Sequence, residues 1–145
     1  MPQKEEAKKI LWVDDEIEHL KSHILFLEKR GFDVTAVSSG FDAIEEVKKT
    51  PFDLIFLDEM MPGMDGLATM EEIKAINPNL PVVMVTKNEE EDLMVQAIGK
   101  QITDYLTKPV NPSQVLMVAK RVLESKKIQQ NHFTRNYVEP VSYTH

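Results

Sequence analysis

Apolar positions along the chain follow two alternating rhythms. Unbroken runs at Lys9-Ile10-Leu11-Trp12-Val13, Phe32 to Val37, Phe52 to Leu57, Pro81 to Val85 and Asp104-Tyr105-Leu106-Thr107 read as strands. Runs of this kind suit strands covered on both faces. Between them apolar residues return every third or fourth position, the spacing of one helix face. Ile17, Leu20, Ile24 and Leu27 predict a helix from Asp15 to Arg30, closed by Gly31. Ser39-Gly40-Phe41-Asp42 resembles a capping box and opens a helix through Lys49. Leu67, Met70, Ile73 and Ile76 line a third helix, which Asn77-Pro78-Asn79 stops. Glu89-Glu90-Glu91-Asp92 places negative charge in the first turn of a fourth, where the helix dipole favours it, and Leu93, Met94, Ala97 and Ile98 supply its buried side. Asn111-Pro112-Ser113-Gln114 starts a fifth, with Val115, Leu116, Val118, Ala119, Val122 and Leu123 facing inward. Strand and helix alternating in this way predict an α/β fold, a doubly wound parallel sheet with helices on both faces. Residues 1–125 form that domain; residues 126–145 show no clear period and read as a frayed tail or the start of a linker.

Composition narrows the function. The 145 residues make one domain, and a formal charge of −7 opposes nucleic-acid binding, which wants a basic face. No helix-turn-helix pattern follows the fifth helix, and direct nucleic-acid binding by this chain is not expected. No apolar stretch approaches the ~20 residues that span a bilayer. The first residues, Met1 to Lys9, lack the apolar core of a secretory signal, and there is no Cys for a disulfide, thiolate site or thiol nucleophile. A cytoplasmic location with no membrane partner is the expectation.

Chemistry concentrates at the strand ends. The third strand ends in Asp58, followed by the turn formers Pro62, Gly63, Asp65 and Gly66. The first strand runs into Asp14-Asp15-Glu16, the fourth ends in Thr86, and the fifth leads to Lys108-Pro109. In a parallel sheet these ends share one edge, the edge at which open α/β folds bind ligands. Clustered carboxylates raise one another's pKa unless a cation compensates, and oxygen-only ligands favour Mg²⁺ over zinc.

These motifs, Val13-Asp14-Asp15-Glu16, Leu57-Asp58 with Met61-Pro62-Gly63-Met64-Asp65-Gly66, Val85-Thr86, and Tyr105-Leu106-Thr107-Lys108-Pro109, together resemble the receiver domain of bacterial response regulators over roughly residues 9–125. The resemblance implies a flavodoxin-like (βα)5 fold with strand order 2-1-3-4-5. It implies that Asp58 accepts a phosphoryl group from a phosphohistidine on a sensor histidine kinase or a phosphotransfer protein. Asp14, Asp15, Asp58 and the backbone carbonyl of Met60 would hold Mg²⁺, for which Mn²⁺ may substitute. Lys108 would pair with a phosphoryl oxygen, its place fixed by Pro109 after a cis peptide bond. Thr86 would bond the phosphoryl group and Tyr105 would move inward with it. That movement would remodel the face formed by the fourth helix, fifth strand and fifth helix, where an output partner or a second copy docks. Such a chain catalyses only its own phosphorylation and dephosphorylation and is not otherwise an enzyme.

Departures from the family pattern fall near Asp58. Lys87 stands where a small residue is usual, and Met60 and Asn88 occupy positions that tune hydrolysis. Apolar Met60 cannot orient an attacking water, which predicts slow loss of phosphate. Gln101-Ile102 replaces a common Gly-Ala pair before the fifth strand. Three segments, Asp58 to Gly63, Thr86 to Asp92 and Lys108 to Pro112, are similar to the receiver half of the regulator of type IX secretion in Bacteroidetes, where a helical linker and an alkaline-phosphatase-like domain follow. Two other classes share features. A haloacid-dehalogenase-type enzyme wants a second Asp where Met60 stands; a pseudo-receiver interaction module usually lacks one acidic or Lys position, and none is missing. His19 and His23 lie four apart but fall short of the ligands zinc needs, and read as a solvated face. Trp12 and the Met residues read as core, and Phe133 and Tyr137 as tail residues able to anchor a dimer or linker helix.

Overall fold

A computed structural model of the chain describes residues 7–87 and 102–138, with side chains as far as residue 125. Five parallel strands, β1 (Lys9–Val13), β2 (Asp33–Val37), β3 (Leu54–Asp58), β4 (Val82–Thr86) and β5 (Asp104–Thr107), form one sheet in the order β2-β1-β3-β4-β5. Pairing is in continuous register, with Trp12 beside Phe56, Asp58 beside Val85 and Thr86 beside Thr107. Among the described residues, four α-helices flank the sheet: α1 (Lys21–Lys29), α2 (Gly40–Lys49), α3 (Gly66–Ile76) and α4 (Pro112–Val138).

Because strand side chains alternate between faces, each apolar run feeds two cores. Ile10, Trp12, Leu54, Phe56, Val83 and Val85 pack with Leu27 of α1 and Val115, Ala119 and Val122 of α4. Leu11, Val13, Ile55, Leu57, Val82 and Met84 pack with Ala43 and Val47 of α2 and Met70 and Ile73 of α3. This two-sided burial is why the strands read as unbroken apolar runs.

Most helix ends follow the expected capping chemistry. The Ser39 hydroxyl accepts from the Asp42 backbone N–H at 3.1 Å, and the Asp65 carboxylate accepts from Ala68 at 2.9 Å. At α4, Asn111 Oδ1 accepts from the Gln114 N–H at 2.8 Å while Gln114 Oε1 accepts from the Asn111 N–H at 3.1 Å, a closed capping box. Gly31 closes α1 with φ +94°, its N–H donating to the Glu28 carbonyl and that of Phe32 to Leu27. That pair of bonds is the Schellman arrangement, which needs the left-handed backbone that glycine adopts freely.

The structure corrects several expectations. The first helix does not run unbroken from Asp15: a 3₁₀ turn over Ile17–Leu20 precedes α1. The Asp14 carboxylate takes the Glu16 N–H at 2.8 Å, so the chain leaves β1 through a side-chain-closed turn before helical bonding begins. The fifth predicted helix does not stop near residue 125 but continues to Val138, through the stretch read as lacking a period. The Met residues are not uniformly core: Met61, Met70 and Met84 are buried, whereas Met60 and Met117 are exposed. The predicted helix beginning at Glu89, together with Asn88 and Gln101, lies outside the described residues. Ile102 is partly buried against the core on the α2 and α3 side. Phe133 and Tyr137 fall within α4, and their side chains lie outside those described. Among the described residues, no helix is long and apolar enough to cross a membrane.

Candidate functional site

The carboxyl ends of β1, β3, β4 and β5 converge as the motifs anticipate. Strand order reverses between β1 and β3, and the crevice at such a reversal is the ligand site of open α/β sheets. β1 delivers Asp14 and β3 delivers Asp58, both almost fully buried. The loop after β5 reaches the same point because the Lys108 N–H donates to the Thr86 carbonyl at 2.7 Å. The Lys108–Pro109 peptide bond is cis. The Lys108 ammonium then lies 2.9 Å from Asp14 Oδ2 and 3.4 Å from Asp58 Oδ1.

Asp15 joins them from the solvent side. One carboxylate oxygen from each of Asp14, Asp15 and Asp58 lies within 4.8 Å of the others, close enough to hold one metal ion. Three hard oxygens and no soft donor fit Mg²⁺. The electrostatics agree with a site short of positive charge. Burial first, then the Asp14 carboxylate and a hydrogen bond with Asp15, push Asp58 up to about 7, against the pull of Lys108 and the Met60 N–H. Burial works to lower the Lys108 pKa, but its contacts with Asp14 and Asp58 outweigh this and leave it raised. Among the described residues one ammonium serves two buried carboxylates, and a bound cation would complete the neutralisation.

The backbone around Asp58 is held from several sides. The Met60 N–H donates to Asp58 Oδ1 at 3.3 Å, and the Glu59 N–H donates to the Val85 carbonyl at 2.9 Å. The Gly66 N–H donates to the Glu59 carbonyl at 2.8 Å, docking the start of α3 beneath the strand end. A Cβ at residue 66 would sit 2.3 Å from the Asp58 carbonyl oxygen, so only glycine permits this approach.

The remaining expected residues surround this centre. Thr86 is fully buried at the end of β4, and its hydroxyl donates to Glu59 Oε1. Lys87 forms an ion pair with Glu16 at 3.5 Å, on the surface beside the site. Met60 points outward with 67% of its surface exposed, and Tyr105 on β5 is 38% exposed. A cleft of about 450 Å³ extends from Asp14 and Lys108 between Trp12, Leu20, His23 and Val110.

Three contacts were not legible in the motifs. Glu59 and Glu16 carry no assigned role in the motifs but pair with Thr86 and Lys87. His23, expected on a solvated face, is partly buried and its Nε2 lies 2.6 Å from the Val110 carbonyl, tying α1 to the loop that carries Lys108. His19 is exposed. Their helical spacing is all the sequence offers, and it does not say which way an imidazole turns.

Comparison with known proteins places the site in context. Residues 10–120 match the family model for the response regulator receiver domain. The transcriptional regulatory protein ZraR of Escherichia coli K12 is 40% identical over 102 residues, 70% of this chain and 23% of that protein. The alkaline phosphatase synthesis transcriptional regulatory protein PhoP of Bacillus subtilis is 34% identical over 121 residues, 83% of this chain and 50% of that protein. The chain thus spans from about a quarter to half the length of these curated relatives. Among solved structures, a CheY-like receiver domain protein from Methanospirillum hungatei superposes with TM-score 0.76 at 27% identity, covering 85% of this chain and 98% of the other. NtrX from Brucella abortus superposes with TM-score 0.81 at 31% identity, covering 88% of this chain and 29% of the other.

Proposed function

Since this chain belongs to the response regulator receiver family, we propose that Asp58 is its phosphoacceptor and that Asp14, Asp15, Thr86 and Lys108 complete the site. The observation that carries this reading is the Lys108 ammonium lying between two buried carboxylates, Asp14 and Asp58, with Asp15 beside them. An ionised Asp58 oxygen attacks the phosphorus of a phosphohistidine; the new O–P bond forms as the N–P bond breaks, and the imidazole leaves with the electron pair. Such transfers depend on positioning and on neutralising charge over the phosphoryl oxygens. Lys108 meets one of those oxygens, and Thr86 donates to another. Asp14, Asp15, Asp58 and the Met60 carbonyl would hold Mg²⁺, or Mn²⁺ in its place, which would supply further positive charge.

Phosphorylation adds about −1.5 to −2 charge and three acceptor oxygens at one buried point. As Thr86 turns toward them, Tyr105 follows, and the face around β5 and the start of α4 is remodelled. Coupling of this sort is typically about 1–3 kcal/mol, enough to shift two populated states. The chain's partners are a sensor histidine kinase or phosphotransfer protein upstream, while this face serves an output domain or second copy downstream. Lys87 and Met60 tune the lifetime of the aspartyl phosphate, Lys87 because an exposed surface pair to Glu16 costs little to exchange for a phosphoryl oxygen. Assignment to the type IX secretion regulators rests on the three motif segments given above.

A small phosphodonor such as acetyl phosphate with Mg²⁺ tests the reading. Intact mass should rise by one phosphoryl group in the wild type and not in Asp58→Asn, nor without the metal. Labelling that survives Asp58→Asn, or no labelling of the wild type, rejects it.

A further inference from the structure

Glu59 has no part in the chemistry assigned above, yet its carboxylate accepts the hydrogen bond of the Thr86 hydroxyl. Thr86 is wholly buried at the end of β4. A hydroxyl has one hydrogen to donate. The Glu59 carboxylate and a phosphoryl oxygen on Asp58 are therefore alternative acceptors for it, one on each of two consecutive residues. The Glu59 backbone cannot move aside, because its N–H is bonded to Val85 and its carbonyl to Gly66. Exchange of acceptor must come from the side chains alone. Phosphorylation of Asp58 also places about −1.5 to −2 charge next to the Glu59 carboxylate. The event that offers Thr86 a new acceptor thus repels the old one.

We propose that Glu59 is a positioning residue that holds Thr86 in its unphosphorylated setting and competes with the phosphoryl group for its hydroxyl. The inference rests on the phosphoacceptor reading of Asp58 and adds to it a built-in opposition to switching. Removing Glu59 takes away that competing acceptor, so the phosphorylated arrangement forms with less work and the switched population rises.

Beryllium trifluoride with Mg²⁺, an analogue of an aspartyl phosphoryl group, tests this on the full chain, with affinity followed by ¹⁹F NMR. Binding by the wild type and its loss in Asp58→Asn establish the site; failure of the wild type to bind overturns the phosphoacceptor reading itself. Given that binding, Glu59→Ala should bind about three- to tenfold more tightly, the scale of one hydrogen bond. In a Thr86→Val background, which removes the hydroxyl at nearly constant shape, the gain from Glu59→Ala should fall below about twofold; Thr86→Ala serves as the second background. No gain in Glu59→Ala, or a gain above about twofold that persists without the Thr86 hydroxyl, overturns the inference, since simple charge repulsion does not need Thr86.

Discussion

Asp58 is buried beside a second buried carboxylate, Asp14, with Lys108 between them, and burial first, then that neighbour, push its pKa up to about 7 against the pull of Lys108. A proton and a divalent cation relieve the same excess of charge, so they compete. Raising the pH removes the proton and strengthens metal binding. Below about pH 7 each ion displaces close to one proton, and Mg²⁺ affinity should rise about tenfold per pH unit, levelling off above pH 7. Calorimetric titration across that range checks it, and a flat profile would show Asp58 already ionised without the metal. Met60 gives a second prediction at this scale. Its exposed side chain, two residues from the proposed phosphoacceptor Asp58, has no strong hydrogen-bonding group to orient water. Met60→Asn should shorten the aspartyl phosphate lifetime several-fold, read from the decay of labelled protein after phosphodonor removal. The site residues that sequence brings forward are those whose place follows from the backbone: Asp14, Asp58, Thr86 and Lys108 sit at strand ends. Glu59, Glu16 and His23 escaped because their role depends on where a side chain turns across a loop, which spacing does not encode.

Elements succeed where their ends carry specific chemistry. The Ser39 cap, the closed capping box at Asn111 and the Gly31 stop formed where the residues pointed, and Asp65, read from the sequence only as a turn former, caps α3. The first helix starts later than its periodicity predicts, for a physical reason. Ile17, Leu20, Ile24 and Leu27 keep an apolar face through a 3₁₀ turn as well as through an α-helix, so periodicity cannot separate the two. What sets the boundary is the Asp14 carboxylate closing the turn onto Glu16. The most exacting junction is between β3 and α3. Gly66 lets the helix begin against the Asp58 carbonyl, where a methyl group would fall at 2.3 Å from the oxygen and 2.9 Å from the Glu59 Cα. Both obstructing atoms are backbone, so relief must move the loop that carries Asp58. Gly66→Ala should cost about 1–3 kcal/mol or more in chemical denaturation, with slower phosphorylation by a small phosphodonor. Unchanged stability and rate would show that the junction is more yielding than its contacts indicate.

For the molecule as a whole, alternation of strands and helices declared the doubly wound class, while strand order came from the motif resemblance and not from periodicity. The order matters to function because it seats Asp14 and Asp58 on adjacent strands at the reversal. Among the described side chains the core spans residues 10–122, and α4 runs on to Val138; we propose that the folding unit ends near residue 125. A chain shortened after residue 125 should keep its melting temperature within a few degrees and still accept phosphate; loss of either would place the later part of α4 inside the unit. The proposed signalling role depends on one covalent bond. After reaction with a phosphodonor and Mg²⁺, borohydride reduces an aspartyl phosphate to homoserine, and peptide mass mapping locates it. The prediction is homoserine at position 58 and at no other acidic residue; an unreduced Asp58, or homoserine elsewhere, would contradict it.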